Sequence, residues 1–412
     1  MKSKKITIIT ANYYPEDTAI GLYTSQFAEY LKNNSFNVTV LTGFPYYPNW
    51  KIPENYENKP SFYKEINNGV EVIRYKQYVP SKVNFKSRIL MILSFNFGLL
   101  VNLFKLKKSD LVICIVPFTT NCFIGKLYSL IYKTKFWIHL QDFEFDLLID
   151  SGIGSKKSFF TKLFFKLLLK TESMILNSAD LVSTISNSMM SKVYEKSNPK
   201  NTFFFPNWVS INNINPETSK KHNYFNPLKY NLLYSGNIGE KQDWNFFIEF
   251  CKLINKDDNI EVVIVGNGGY SDKLKERAGI YDFIKFKDVV PYSELSDLLC
   301  STDIHFLFQK HDVVDSVMPS KLLGMMASTK PSIVTGNENS EVNTIISNSK
   351  GGYYNSSNCP IEIYEKIIEL KNNKKKSNEI GQNARKYVET NFSSEKVLNS
   401  FLNKVNEVID EK

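Results

Sequence analysis

Short runs of β-branched and apolar residues alternate with segments of helical length along most of this chain, and that alternation restricts its possible folds more than any other feature. KITIITA (5–11), NVTVLTG (37–43), VEVIRY (70–75), DLVICIV (110–116) and KFWIHL (135–140) read as buried parallel strands. The intervals between them are long enough for the helical crossovers that parallel neighbours need. A second series, YNLLYSG (230–236), IEVVIVGNG (260–268), DIHFLF (303–308) and KPSIVTG (330–336), follows the polar, proline-containing stretch 209–227. At 412 residues the chain is too long for one typical core. The expectation is therefore an α/β protein of two doubly wound, Rossmann-like domains facing a cleft, over 1–208 and 228–385. Residues 209–227 would be the linker or hinge, and 386–412 a C-terminal helix.

In sheets of this kind ligands sit beyond the C-terminal strand ends. Gly21 falls at the entry of a helix, Gly236 and Gly239 follow one strand, and Gly266, Gly268 and Gly269 follow another. Glycine there permits tight turns and lets backbone approach a phosphate. A further signal is DVVDSVMPSKLLGMMAS (312–328), where a Pro-Ser-Lys turn runs into an apolar helix. An open helix start offers unpaired N–H groups and a positive dipole end, so Ser320 and Lys321 could seat phosphate oxygens there. Proline followed by polar residues also begins ordinary helices, and the motif by itself leaves both readings open.

The net charge of +9 suits an anionic partner: a phosphorylated substrate, a membrane surface or nucleic acid. A lysine- and asparagine-rich composition can equally reflect genome base content. Five cysteines without a CxxC pair and four scattered histidines give no disulfide framework and no metal cluster. The basic start lacks an apolar h-region, so export is not expected. In KKSFFTKLFFKLLLK (156–170), Lys162, Lys166 and Lys170 form one helical stripe opposite Phe160, Leu163, Phe164, Leu167 and Leu168. This suits an anionic interface, and equally a surface helix packed on its own domain. ILMILSFNFGLLVNLFKLKK (89–108) is a little short of a membrane span and precedes a strand, so it reads as a buried crossover helix.

Within this framework YYPEDTAIGLYTSQFAEYL at the first turn, ISNSM (185–189), FPNWV (205–209), LLYSGNIGEKQ (232–242), VIVGNGG (263–269) and PSKLLGMMASTKPSIV (319–334) resemble the family-4 glycosyltransferases, retaining enzymes of the GT-B fold. PYYP (45–48), HLQDFEFD (139–146) and GEKQ (239–242) are most similar to the colanic-acid and O-antigen branch, which includes L-fucosamine transferases. The resemblance implies that Pro319, Ser320 and Lys321 lie on the donor diphosphate, with Ser316 beside them. Gly236-Asn237 stands where the family has a Gly-Arg pair, leaving Lys241 as the nearby cation. Of the family's two glutamates spaced eight apart, the second position holds Gly324, and Asp315 is the carboxylate nearest the first. His139 matches a histidine near the donor sugar, and Glu16, Gly21, Asp142, Gly266 and Gly268 complete the implied substrate contacts.

The chemistry so implied replaces a nucleoside diphosphate, UDP by the branch resemblance, at an anomeric carbon with retention. Lys241, Lys321 and the amides after Pro319 would stabilise the leaving group with no metal and no cofactor. The expected acceptor is a polyprenyl-diphosphate-linked sugar at the cytoplasmic face of the membrane, with 156–170 as a peripheral anchor. An NDP-sugar epimerase of the same fold is the alternative. A glycoside hydrolase would use Asp142, Glu144 and Asp146, spaced by two as on one strand face. A nucleic-acid-binding protein would account for the charge but not for the glycine turns.

Overall fold

The structure is a computed structural model and describes residues 3–16, 19–82, 84–146, 159–312 and 320–411, with Ala19, 159–162 and Ser320 described by their backbone alone. The chain forms two compact units, Met1–Pro206 with Leu398–Lys412, and Asn207–Val397.

The first unit holds β1 (Lys5–Ile9), β2 (Asn37–Gly43), β3 (Phe62–Asn67), β4 (Val70–Tyr75), β5 (Leu111–Val116), β6 (Lys135–Leu140), β7 (Leu181–Thr184) and β8 (Thr202–Phe204). Among the described residues they make one sheet in the order β3-β4-β2-β1-β5-β6-β7-β8. β3 runs antiparallel to β4, and the other neighbours are parallel. All of LVICIV in β5 is buried, as expected of a central strand covered on both faces.

Three crossover helices, Phe85–Leu103, Thr120–Tyr132 and Phe159–Asn177, pack side by side. The helix Phe85–Leu103 is long and apolar enough to cross a membrane, yet it is a crossover joining β4 to β5. The expectation of burial is only half met. Met91, Phe95, Leu99 and Leu103 are buried against the unit, whereas Leu90, Leu93 and Phe97 are exposed. Leu130 and Ile131 of the second helix and Leu163, Phe164 and Leu167 of the third are exposed as well.

In the second unit β9 (Tyr230–Ser235), β10 (Ile260–Val265), β11 (Ile284–Lys287), β12 (Ile304–Phe308), β13 (Ser332–Thr335) and β14 (Gly352–Asn355) form a parallel sheet in the order β11-β10-β9-β12-β13-β14. The stretch 209–227 is fastened to this unit. Asn215 N donates to Ser296 Oγ (3.1 Å), Lys220 N to Asp297 Oδ1 (2.8 Å), His222 N to Ser301 Oγ (2.8 Å), and Arg385 Nη1 to the Ile214 carbonyl (2.8 Å).

The C-terminal region is two helices, Lys374–Phe392 and Ser394–Asp410, rather than one. The break is local: Val209 N donates to the Phe392 carbonyl (2.9 Å) and Ser394 N to the Val209 carbonyl (3.0 Å), so a bridge interrupts the helix at Ser393. Past Val397 the last helix belongs to the first unit, where Phe401 lies 4.6 Å from Phe205, 5.3 Å from Phe27 and 5.4 Å from Trp137 between ring centroids. Aromatic contacts of this kind add about 0.5–1.5 kcal/mol each beyond area burial.

Candidate functional site

In the second unit the turns that follow β9 and β10 are stacked on each other. Gly236 N donates to the Val265 carbonyl (2.9 Å), Ile238 N to the Asn267 carbonyl (2.9 Å) and Tyr270 N to the Ile238 carbonyl (3.0 Å). This packing needs glycine: a Cβ on Gly266 would lie 1.9 Å from the Gly236 oxygen, and one on Gly268 2.3 Å from the Ile238 oxygen. Gly236 and Gly266 also hold φ of +139° and +154°, where other residues are strained. Beside the second turn is a cavity of about 210 Å³ lined by Tyr224, Gly266, Asn267 and Phe286 among others.

Lys321 comes from the helix Ser320–Ala327 and reaches back over the first turn. A Cβ on Gly236 would meet its Nζ at 3.0 Å. Lys321 Nζ donates to Tyr234 Oη (2.9 Å), which donates to the Asn237 carbonyl (2.6 Å), and Nζ stands 4.4 Å from the Tyr234 ring centroid. Burial among these groups pulls the Lys321 pKa down to about 7. An ammonium has three donors, and an incoming anion would both bond to it and restore its charge.

Lys241 is exposed on the loop after β9, and that loop is tied to the end of β12. Lys310 N donates to the Lys241 carbonyl (3.1 Å) and Asp243 N to the Phe308 carbonyl (2.9 Å). The structure therefore brings together Gly236, Asn237, Gly266, Gly268 and Lys321, with Lys241 on the same loop as Gly236. Ser320 opens the helix that carries Lys321. Asp315, Ser316 and Pro319 lie outside the described residues.

The loops after β1 and β2 in the first unit are locked by buried charge. Glu16 Oε1 accepts from Tyr46 N (2.7 Å) and Tyr47 N (2.8 Å), and Oε2 accepts from Asn12 Nδ2 (2.7 Å). Burial raises the Glu16 pKa above the usual carboxylate range, against these bonds. Gly21 lies in the helix Ala19–Asn33, where a Cβ would stand 2.4 Å from the Glu16 carbonyl. Glu16 and Gly21 thus shape a loop.

His139 sits on β6 in the interior. Its Nδ1 pairs with Ser183 Oγ (2.9 Å) and its ring lies 4.9 Å from that of Phe205. Burial lowers its pKa to about 3, so the ring is neutral at physiological pH and is held as a packing and positioning group. Asp142 lies two residues past β6, where its Oδ1 accepts from Phe143 N (2.8 Å).

Asp142, Glu144 and Asp146 do not share a strand face, which corrects the geometry expected of them. The strand ends at Leu140, and 144–146 begin a helical turn. Asp146 pairs with Lys192 and Lys196 at 2.5 Å each, and Glu144 Oε2 accepts from Thr119 N (2.8 Å). Burial raises the Glu144 pKa. Among the described residues no group of three or more His, Cys, Asp or Glu side chains is gathered to hold a metal.

Two positioning residues carried no signal in the sequence. Tyr234 orients Lys321, but two places before a strand-end glycine it looks like any core aromatic. Arg74 is fully buried. It donates to Glu65 Oε1 (2.5 Å), the Gly43 carbonyl (2.9 Å) and the Tyr14 carbonyl, holding the ends of both loops.

Comparison with known proteins adds to this geometry. Residues 216–387 match the family described as glycosyl transferases group 1. The chain is 31% identical, over 97% of its own length and 99% of the relative's, to the glycosyl transferase WcaI of Escherichia coli (strain K12), a protein named for colanic acid biosynthesis. Sucrose-phosphate synthase from Thermosynechococcus elongatus superposes with a TM-score of 0.75 at 12% identity, covering 98% of this chain and 99% of that one. HepE of Anabaena, in complex with UDP, does so with 0.69 at 12% identity over 98% and 100%.

Proposed function

The chain belongs to the group 1 glycosyl transferases and has the GT-B architecture, and from that premise we propose that it moves a sugar, with retention, from a UDP-sugar to a polyprenyl-diphosphate-linked acceptor in the synthesis of a bacterial surface polysaccharide. The observation that carries this reading is Lys321, held by Tyr234 over the Gly236 turn with its charge suppressed by burial. A group so placed is worth little in the empty site and a great deal once diphosphate charge develops beside it, which is the requirement for stabilising a leaving group. Lys241, on the same loop, supplies a second cation. The departing phosphate itself takes the acceptor proton, so the reaction needs neither a protein base nor a metal.

UDP is favoured because HepE, which shares the fold, was captured with UDP, and the cavity beside Gly266 offers the Tyr224 ring as a wall for a base. UDP-N-acetyl-L-fucosamine is the candidate donor carried by the branch resemblance, and the relative named for colanic acid biosynthesis supports the polysaccharide setting. Three neighbouring helices with exposed Leu90, Leu93, Phe97, Leu130, Leu163, Phe164 and Leu167, and exposed Lys166 and Lys170 on the third, support work at the cytoplasmic face of an anionic membrane.

A thermal-shift panel of UDP-, GDP- and ADP-sugars tests the donor. A true donor at a hundred times its dissociation constant should stabilise the protein by about 2.7 kcal/mol, and no response to any nucleotide sugar would remove the reading. Flotation with anionic vesicles tests the membrane arm. Wild type should float and Leu163→Ser/Phe164→Ser/Lys166→Glu/Lys170→Glu should not; equal flotation of the two would remove the anchor.

A further inference from the structure

At the start of β1 and β2 in the first unit, far along the strands from the loops at their C-terminal ends, lies a cavity of about 420 Å³. Its walls include Lys5, Lys32, Lys64, Lys105, Lys107 and Lys108. The one carboxylate among the lining residues is Glu71, which pairs with Lys64 and accepts from Thr39 Oγ1 (2.8 Å). Three of the lysines have a local explanation: Lys64 is paired with Glu71, Lys32 is in the last turn of the helix Ala19–Asn33, and Lys105 follows the helix Phe85–Leu103 with its Nζ 4.0 Å from the Phe62 ring centroid. The other three, Lys5, Lys107 and Lys108, come from the start of β1 and from the loop before β5, and no helix end calls for them.

Six lysines line one space with a single carboxylate, already paired with Lys64, to offset them, and the net positive charge favours an anion that enters. The volume lies in the range of about 300–1,000 Å³ usual for small-molecule sites. Lysine binds phosphate as a point charge, and several lysines from different elements suit an anion with more than one phosphate.

We propose that this cavity is a second anion site, which takes a diphosphate or longer phosphate chain, either free or as the headgroup of a lipid. The site is independent of the donor turns, since its residues lie on a different unit from Lys321 and Lys241. It stands or falls without the transferase reading.

The test uses the full chain carrying Lys241→Ala and Lys321→Met, so that the donor-side cations do not contribute. Titration calorimetry with inorganic pyrophosphate should give one saturable site that weakens as salt rises. Adding Lys105→Ala/Lys107→Ala/Lys108→Ala should weaken it at least tenfold, and adding Lys374→Ala/Lys375→Ala, which belong to the second unit and do not line the cavity, should leave it unchanged. Lys5→Gln/Lys64→Gln provides a second disruption should the loop variant fail to fold. A parallel arm measures binding to vesicles containing diacylglycerol pyrophosphate, whose headgroup is a diphosphate. Lysine-dependent binding of pyrophosphate identifies a free ligand, and lysine-dependent binding of vesicles alone identifies a lipid headgroup. The proposal is overturned if neither probe binds, or if both sets of lysine variants bind as tightly as their parent.

Discussion

Lys321 offers the sharpest quantitative test, because its suppressed charge must return when a diphosphate arrives. With a pKa of about 7 in the free protein, about nine-tenths of the molecules carry the ammonium at pH 6 and only about 3% at pH 8.5. A bound diphosphate holds the proton on. Binding at pH 8.5 should therefore take up close to one proton per site, and binding at pH 6 about one-tenth of a proton. Affinity should fall about tenfold per pH unit above 7. Titration calorimetry of a UDP-sugar in buffers of different ionisation enthalpy reads the uptake directly, and the sugar diphosphate is a diester that does not itself titrate in this range.

Lys321→Met should abolish the uptake and flatten the pH dependence. It should also stabilise the ligand-free protein. The unfolded chain holds this proton up to the ordinary lysine value of 10.5 and the folded chain releases it near 7, so the penalty is full below pH 7 and gone above 10.5. At about 1.4 kcal/mol per unit the ceiling is near 5 kcal/mol, reduced by solvent because the side chain is only half-buried. Uptake that is equal at both pH values, or unaltered by Lys321→Met, would refute the placement of the diphosphate against this lysine.

Other expectations follow from the same geometry. Lys241→Ala should cut turnover by about a hundredfold, the usual cost of removing one donor aimed at developing charge, while far-UV dichroism and melting temperature stay at wild-type values. Gly266→Ala would force its Cβ to within 1.9 Å of the Gly236 oxygen, so the two turns must part; donor KM should rise steeply, with a stability loss of about 1–3 kcal/mol for the strained backbone, both measurable beside Gly269→Ala, whose Cβ meets nothing within 4 Å. His139 and His305 are both driven to a pKa of about 3 by burial. The unfolded chain protonates them near 6.5, so the unfolding free energy from urea titrations should hold above that pH and fall as pH drops toward 3, by up to about 1.4 kcal/mol per unit for each histidine.

The strands legible in the sequence all have neighbours on both sides; the central ones, covered on two faces, are mostly or wholly apolar, as LVICIV in β5 is, and VEVIRY in β4 alternates apolar and polar residues. Of the strands without such a signal, β3, β11 and β14 are sheet edges whose partly solvated residues break the apolar run. The glycine turns were legible for the same reason they are needed: a missing Cβ leaves a mark in the sequence, and the close approach of Gly266 to Gly236 is what that mark encodes. The function of a polar side chain was far less readable. Glu16 looks identical in sequence whether it faces a substrate or accepts from Tyr46 N and Tyr47 N, and Tyr234 is distinguished only by the distant Lys321 that it orients. The helix break at Ser393 depends on Val209, far away in the chain, and no local propensity announces it.

The central claim is that the chain transfers a sugar from a nucleoside diphosphate to a lipid-linked acceptor. It is tested most directly by incubating the full-length protein with radiolabelled UDP-sugars and polyprenyl-diphosphate-linked sugars from bacterial membranes, then partitioning the label between butanol and water. The account predicts that label from one UDP-sugar moves into the butanol phase with stoichiometric release of UDP, and that Lys321→Met slows this by about a hundredfold or more. Release of UDP with the label left as free sugar, or conversion to a new UDP-sugar without release of UDP, with no label in lipid, would contradict it.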